Sequence, residues 1–166
     1  MLSISREAFY LNALKSPATV PFGMRATLAG LSPSMRPRRV LVIDDEEDIR
    51  VLAAIILEMD GEFEVSAAES GAAGIERARR DQPDAILLDY SMPGLDGPAT
   101  FSILRSDELT RAIPVVFLTG KAYGESRASV AAIGADGVIA KPVDPMSFAG
   151  ELSAILGRLA GGGQGA

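Results

Sequence analysis

The stretch Ile86-Leu87-Leu88-Asp89-Tyr90-Ser91-Met92-Pro93-Gly94 decides the fold. A short apolar run ends in a carboxylate, and a loop rich in turn residues follows at once. A strand that is apolar on both sides is buried on both faces, as in a parallel sheet. Asp89 then stands at the strand's carboxyl end, where open α/β sheets place their ligand crevice. Pro93, Gly94 and Gly97 keep the following segment from joining the strand.

Working outward, Val40-Leu41-Val42-Ile43 is a first buried strand that ends in Asp44-Asp45-Glu46-Glu47-Asp48. The acidic run opens a helix over about 47–59, because negative charge suits a helix N-terminus. Two apolar stripes overlap on that helix: Ile49, Leu52, Ile56 and Met59, and Ala53, Ile56 and Leu57. One must cover the sheet, and periodicity alone leaves open which. Phe63–Ala67 alternates as a half-buried edge strand. A helix over 70–80, with Ser70 as its cap, leads to the strand 85–89. A helix over 98–106, a strand over 113–118 ending in Thr119-Gly120, and a short helix over 125–133 come next. The strand Val138-Ile139-Ala140 ends in Lys141-Pro142 and precedes a last helix over 146–159. Strands and helices thus alternate five times, which predicts a doubly wound parallel sheet with right-handed crossovers.

Composition bounds the chemistry. With 166 residues, 48% of them hydrophobic, the chain can bury a full core. The absence of cysteine and histidine excludes disulfides, thiolate sites, imidazole ligation and Ser-His-Asp catalysis. A net charge of -6 argues against direct nucleic-acid binding. Residues 1–39 hold six of the 16 basic residues and only one of the 22 acidic ones, leaving ten basic against 21 acidic beyond them. No apolar run approaches the roughly 18 residues of a membrane span, and no secretory signal is evident. The expectation is a cytoplasmic chain of three parts: an N-terminal extension (1–38, flexible or a short docking helix), one domain (39–160) and a Gly-rich tail (161–166).

Asp44 and Asp45, Asp89, Thr119 and Lys141 each follow or end a predicted strand. In a parallel sheet those ends share one edge, so residues almost a hundred positions apart can meet. Each alone has a plainer reading as helix start, turn hydroxyl or surface lysine; their coincidence at one edge does not.

These residues carry a resemblance to a family. Residues 39–159 resemble the receiver domain of two-component response regulators, through Val-Leu-Val-Ile-Asp44-Asp45-Glu46, Leu-Leu-Asp89-Tyr-Ser-Met92-Pro93-Gly-Leu-Asp96-Gly97, Phe-Leu-Thr119-Gly120 and Lys141-Pro142. The resemblance implies a flavodoxin-like sheet of order 2-1-3-4-5 with five helices. It implies that Asp89 accepts a phosphoryl group from the phosphohistidine of a sensor histidine kinase or phosphotransfer protein. Mg²⁺, with Mn²⁺ as a substitute, would be held by Asp44 (mainly through water), Asp45, Asp89 and the backbone carbonyl of Ser91; oxygen-only ligands suit both ions. Thr119 and Lys141 would bind the phosphoryl oxygens, and the Lys141-Pro142 bond would be cis. Thr119, Val138 and Pro142 fall in the family's switch region, but Val138 stands where the family usually has an aromatic ring. The resemblance therefore implies a signalling domain, not an enzyme acting on other substrates. Since the chain ends soon after the last helix, a stand-alone receiver, monomeric or weakly dimeric, is expected to act on a downstream protein. Two alternatives stay open: a receiver-like interaction module that is not phosphorylated, and a haloacid-dehalogenase-like phosphatase, which would want an acid where Ser91 stands.

Overall fold

The computed structural model describes residues 36–59, 61–120 and 127–162, with side chains omitted at 127–129 and 162. Five strands, β1 (Arg38–Ile43), β2 (Phe63–Ala68), β3 (Ala85–Asp89), β4 (Val115–Thr119) and β5 (Gly137–Ala140), form one sheet. Its order is β2-β1-β3-β4-β5, and every pairing is parallel. Between them lie α1 (Glu47–Met59), α2 (Gly71–Asp81), α3 (Gly97–Ser106) and α4 (Arg127–Ala132), and α5 (Phe148–Gly162) follows β5.

Alternation along the strands builds two cores. Val40 and Val42 of β1, Leu87, Val116, Leu118 and Ile139 face α1 and α5, packing on Ala53, Leu57, Phe148 and Leu152. Leu41, Ile43, Ile86, Leu88, Val115 and Phe117 face the other way, onto Ile75 and Ala78 of α2, Phe101 and Leu104 of α3, and Val130 of α4. β3 and β4 are buried at all five of their positions, as strands covered on both faces must be.

Local chemistry sets the helix ends. Ser70 caps α2 by accepting from the Ala73 amide at 3.2 Å, and Asp96 caps α3 by accepting from Ala99 at 2.8 Å. α2 stops where Gln82 turns into the left-handed region at φ 47°.

The expected elements are present, with shifted bounds. On α1 the stripe facing the sheet is Ala53, Ile56 and Leu57, while Leu52, Ile55 and Met59 are exposed. β4 starts at Val115, not 113, because Pro114 has no amide to donate; its carbonyl still accepts from Ile86 at 2.8 Å. α5 runs through Gly162, so two glycines read as tail continue the helix. The Lys141-Pro142 bond is cis. The expected helix near the N-terminus lies outside the described residues, as does the start of the short helix expected from 125. No helix among the described residues is long and apolar enough to cross a membrane.

Candidate functional site

The carboxyl edge of the sheet gathers the acidic residues. Asp44 directly follows β1; its amide donates to Ala68 at the end of β2 at 3.2 Å, and its Oδ1 accepts from the Glu46 amide at 2.9 Å. That short-range acceptance turns the chain from strand to helix. Asp89 ends β3, and the Tyr90 amide donates to Leu118 of β4 at 3.0 Å, fixing where the loop departs. Asp44 and Asp89 are buried, whereas Asp45 is exposed. One carboxylate oxygen from each of the three lies within 4.8 Å of the others. Arg50, in the first turn of α1, donates to the main-chain carbonyls of Asp44 at 2.8 Å and Asp45 at 3.0 Å.

Lys141 enters from the end of β5. Its Nζ lies 2.6 Å from Asp44 Oδ2, 3.0 Å from Asp89 Oδ1 and 3.7 Å from Glu46 Oε1. The Lys141 amide donates to the Thr119 carbonyl at 2.7 Å, so the ends of β4 and β5 are tied at the site. Thr119 is buried at the end of β4. Among the described residues, a methyl group on Gly120 would meet nothing within 4 Å.

Burial pushes the Asp89 carboxyl up to about 6, with the nearby Asp44 charge adding to the rise. The hydrogen bonds from Lys141 and from the Ser91 amide oppose it without cancelling it. Burial alone would lower the Lys141 ammonium, but its hydrogen bonds to Asp44 and Asp89 outweigh that and raise it. A charged lysine thus sits among carboxylates that exceed it in number, and the surplus negative charge favours a bound cation. The donor set is all oxygen, which fits Mg²⁺ or Mn²⁺.

The structure brings together Asp44, Asp45, Asp89 and Lys141, and it puts Ser91 and Thr119 at the same edge. Val138 lies farther down β5, aligned with Phe117 of β4 and packed beside the second core. Sequence reading missed three features. Gly97 reads as a breaker and a motif residue without a stated packing role, yet a Cβ there would come within 2.7 Å of Tyr90 Cα, so the loop closes tightly behind Asp89. Glu46 reads only as part of the acidic helix start and Arg50 carries no reading; only folding places the first near Lys141 and the second on the Asp44 and Asp45 carbonyls. The rings of Tyr90 and Phe101 lie 5.7 and 5.6 Å from that of Phe117, an aromatic row the spacing does not announce. A cavity of about 650 Å³ opens at the amino edge of the sheet, lined in part by Arg38, Arg111, Asp136 and Leu159, and it contains none of the predicted site residues.

Comparison with known proteins agrees with this arrangement. The model of the response regulator receiver domain matches residues 40–152. The phosphate regulon transcriptional regulatory protein PhoB of Klebsiella pneumoniae is 35% identical over 122 residues, 74% of this chain and 53% of its own length. The response regulator PleD of Caulobacter vibrioides is 41% identical over 108 residues, 64% of this chain and 23% of its own. Among solved structures, a response regulator of Chloroflexus aurantiacus superposes with a TM-score of 0.68 at 28% identity, covering 74% of this chain and all of that one. The chemotaxis protein CheY4 of Vibrio cholerae gives 0.65 at 27%, covering 72% and 98%. The chain spans about half the length of the PhoB relatives it matches. Those relatives are transcriptional regulators, so the acidic charge of these 166 residues bears on the receiver alone and leaves the expectation of no nucleic-acid binding unsupported. A matching model over most of the chain, a sheet of order 2-1-3-4-5 and relatives above 30% identity lead to one conclusion: this chain belongs to the response regulator receiver domain family of two-component systems.

Proposed function

We propose that the chain is a Mg²⁺-dependent phosphoacceptor whose partner binding changes when Asp89 carries a phosphoryl group. Mg²⁺ and phosphorylation are general features of receiver domains; we assign them to these residues. The observation that carries it is the convergence of Asp44, Asp45 and Asp89 with Lys141 at one buried edge. Asp44, Asp45, Asp89 and the Ser91 carbonyl would hold the ion, which supplies positive charge against the phosphoryl oxygens. An Asp89 carboxylate oxygen attacks phosphorus, the phosphorus–nitrogen bond of a donor phosphohistidine breaks, and the imidazole nitrogen leaves with the bonding pair. Lys141 neutralises charge on the transferring group and the Thr119 hydroxyl donates to one of its oxygens. Gly120 leaves the approach open.

The product adds roughly one and a half to two negative charges. Drawing Thr119 and Lys141 toward that charge strains the β4–β5 edge that their backbone bond ties, and biases a two-state equilibrium around Thr119, Val138 and Pro142. With valine on β5, the signal runs through Thr119 and α4 rather than through a rotating β5 ring. A sensor histidine kinase or phosphotransfer protein is the donor, and the receiver, cytoplasmic and monomeric or weakly dimeric, acts on a downstream protein.

Incubation with acetyl phosphate and Mg²⁺, followed by intact mass spectrometry, tests this. One phosphoryl addition, lost without Mg²⁺ and in Asp89→Asn, is expected. No addition favours an interaction module that is not phosphorylated, the reading that Val138 supports. Sustained turnover of a phosphoester favours a phosphatase.

A further inference from the structure

Arg50 stands in the first turn of α1, where aligned peptide dipoles disfavour positive charge. Five consecutive acidic residues, Asp44 to Asp48, lie just before it. Among the described residues, its guanidinium forms an ion pair with none of them. Its two guanidinium hydrogen bonds among the described residues go to main-chain carbonyls, those of Asp44 at 2.8 Å and Asp45 at 3.0 Å. Asp44 and Asp45 are the two residues that, with Asp89, offer the clustered oxygens. The arginine thus grips the turn by its backbone and takes up neither carboxylate.

We propose that Arg50 is a positioning residue for the cation site, holding the β1–α1 turn so that the Asp44 and Asp45 carboxylates stay directed at Asp89. This rests on the Mg²⁺ reading above. Two effects of Arg50 oppose each other in sign. Its charge repels a nearby divalent cation, so losing the charge alone would tighten binding. Its hydrogen bonds order the ligand-bearing turn, and losing an outer partner of metal ligands costs about 10–100-fold in affinity.

The test is calorimetric titration of Mg²⁺ into the metal-free wild-type chain, Arg50→Met and Arg50→Lys, with the melting midpoint of each. Arg50→Met is expected to bind about tenfold more weakly. Arg50→Lys, which keeps the charge and N–H donors, is expected to recover part of the loss. Unchanged or tighter binding in Arg50→Met would overturn the proposal, since only the charge would then matter. Should Arg50→Met fail to fold, Arg50→Lys decides: binding several-fold weaker than wild type supports the proposal, and equal binding overturns it. Asp45→Asn serves as the control for the parent reading. A wild-type chain that binds no Mg²⁺ defeats that reading and this inference with it, whereas wild-type binding with an unaffected Arg50→Met defeats this inference alone.

Discussion

The two edges of the sheet handle charge in opposite ways. At the amino edge, charges come in matched pairs: Arg38 with Glu62, Arg39 with Asp84, Arg105 with Asp136. Each of these three arginines also has a second partner, Ser153 for Arg38, the Asp81 and Gln82 carbonyls for Arg39, and the Arg111 and Ile113 carbonyls for Arg105. Among the described residues at the carboxyl edge, Asp44, Asp89 and Glu46 share the ammonium of Lys141, and Asp45 adds a further carboxylate to the cluster. The three pairs of one edge cancel, and the described residues of the other are left with surplus negative charge. Balanced charge serves the fold; unbalanced charge held in place is available to bind something.

This contrast can be broken most sharply at Lys141. Lys141→Met leaves two buried carboxylates without their cation and should cost about 3 kcal/mol of metal-free stability, read as a lower urea midpoint; Mg²⁺ should restore part of it.

Asp89→Asn should act in the opposite direction. The folded-state carboxyl titrates near 6, above its ordinary value of 3.8. The folded chain therefore holds that proton more tightly than the unfolded chain, and stability is lost as pH rises through that window. Without Mg²⁺, Asp89→Asn should be the more stable protein by about 3 kcal/mol at pH 7, with the advantage fading toward pH 4. Urea unfolding of both proteins from pH 4 to 8 checks the sign; a constant difference across that range would contradict it.

The amino edge should respond the other way to neutralisation. Asp136 accepts from the Val115 amide at 2.7 Å and pairs with Arg105, so Asp136→Asn should destabilise by about 1–2 kcal/mol. Glu62→Gln should cost less than about 1 kcal/mol, since its pair with Arg38 is half exposed. If Asp136→Asn were stabilising, the contrast between the edges would be lost.

The sheet was legible because β3 and β4 are apolar on both faces, and Asp89, Asp44 and Lys141 fall at strand ends that parallel topology must bring together. The element bounds were less so: Pro114 resembles strand in composition but lacks an amide, and α5 carries its hydrogen bonding into Gly161 and Gly162. The surplus apolar stripe of α1 could be sorted only by folding, because Ile56 belongs to both readings. Arg50 was illegible for a similar reason. Five acids precede it in the chain, yet the geometry of the turn puts its donors onto carbonyls.

The most direct test of the central claim is where the phosphoryl group goes. After incubation with acetyl phosphate and Mg²⁺, borohydride reduction converts a phosphorylated aspartate to homoserine, which peptide mass mapping locates. Homoserine is expected at position 89 alone, and none without Mg²⁺. Homoserine at Asp44, Asp45 or elsewhere, or none at all with Mg²⁺ present, would contradict it.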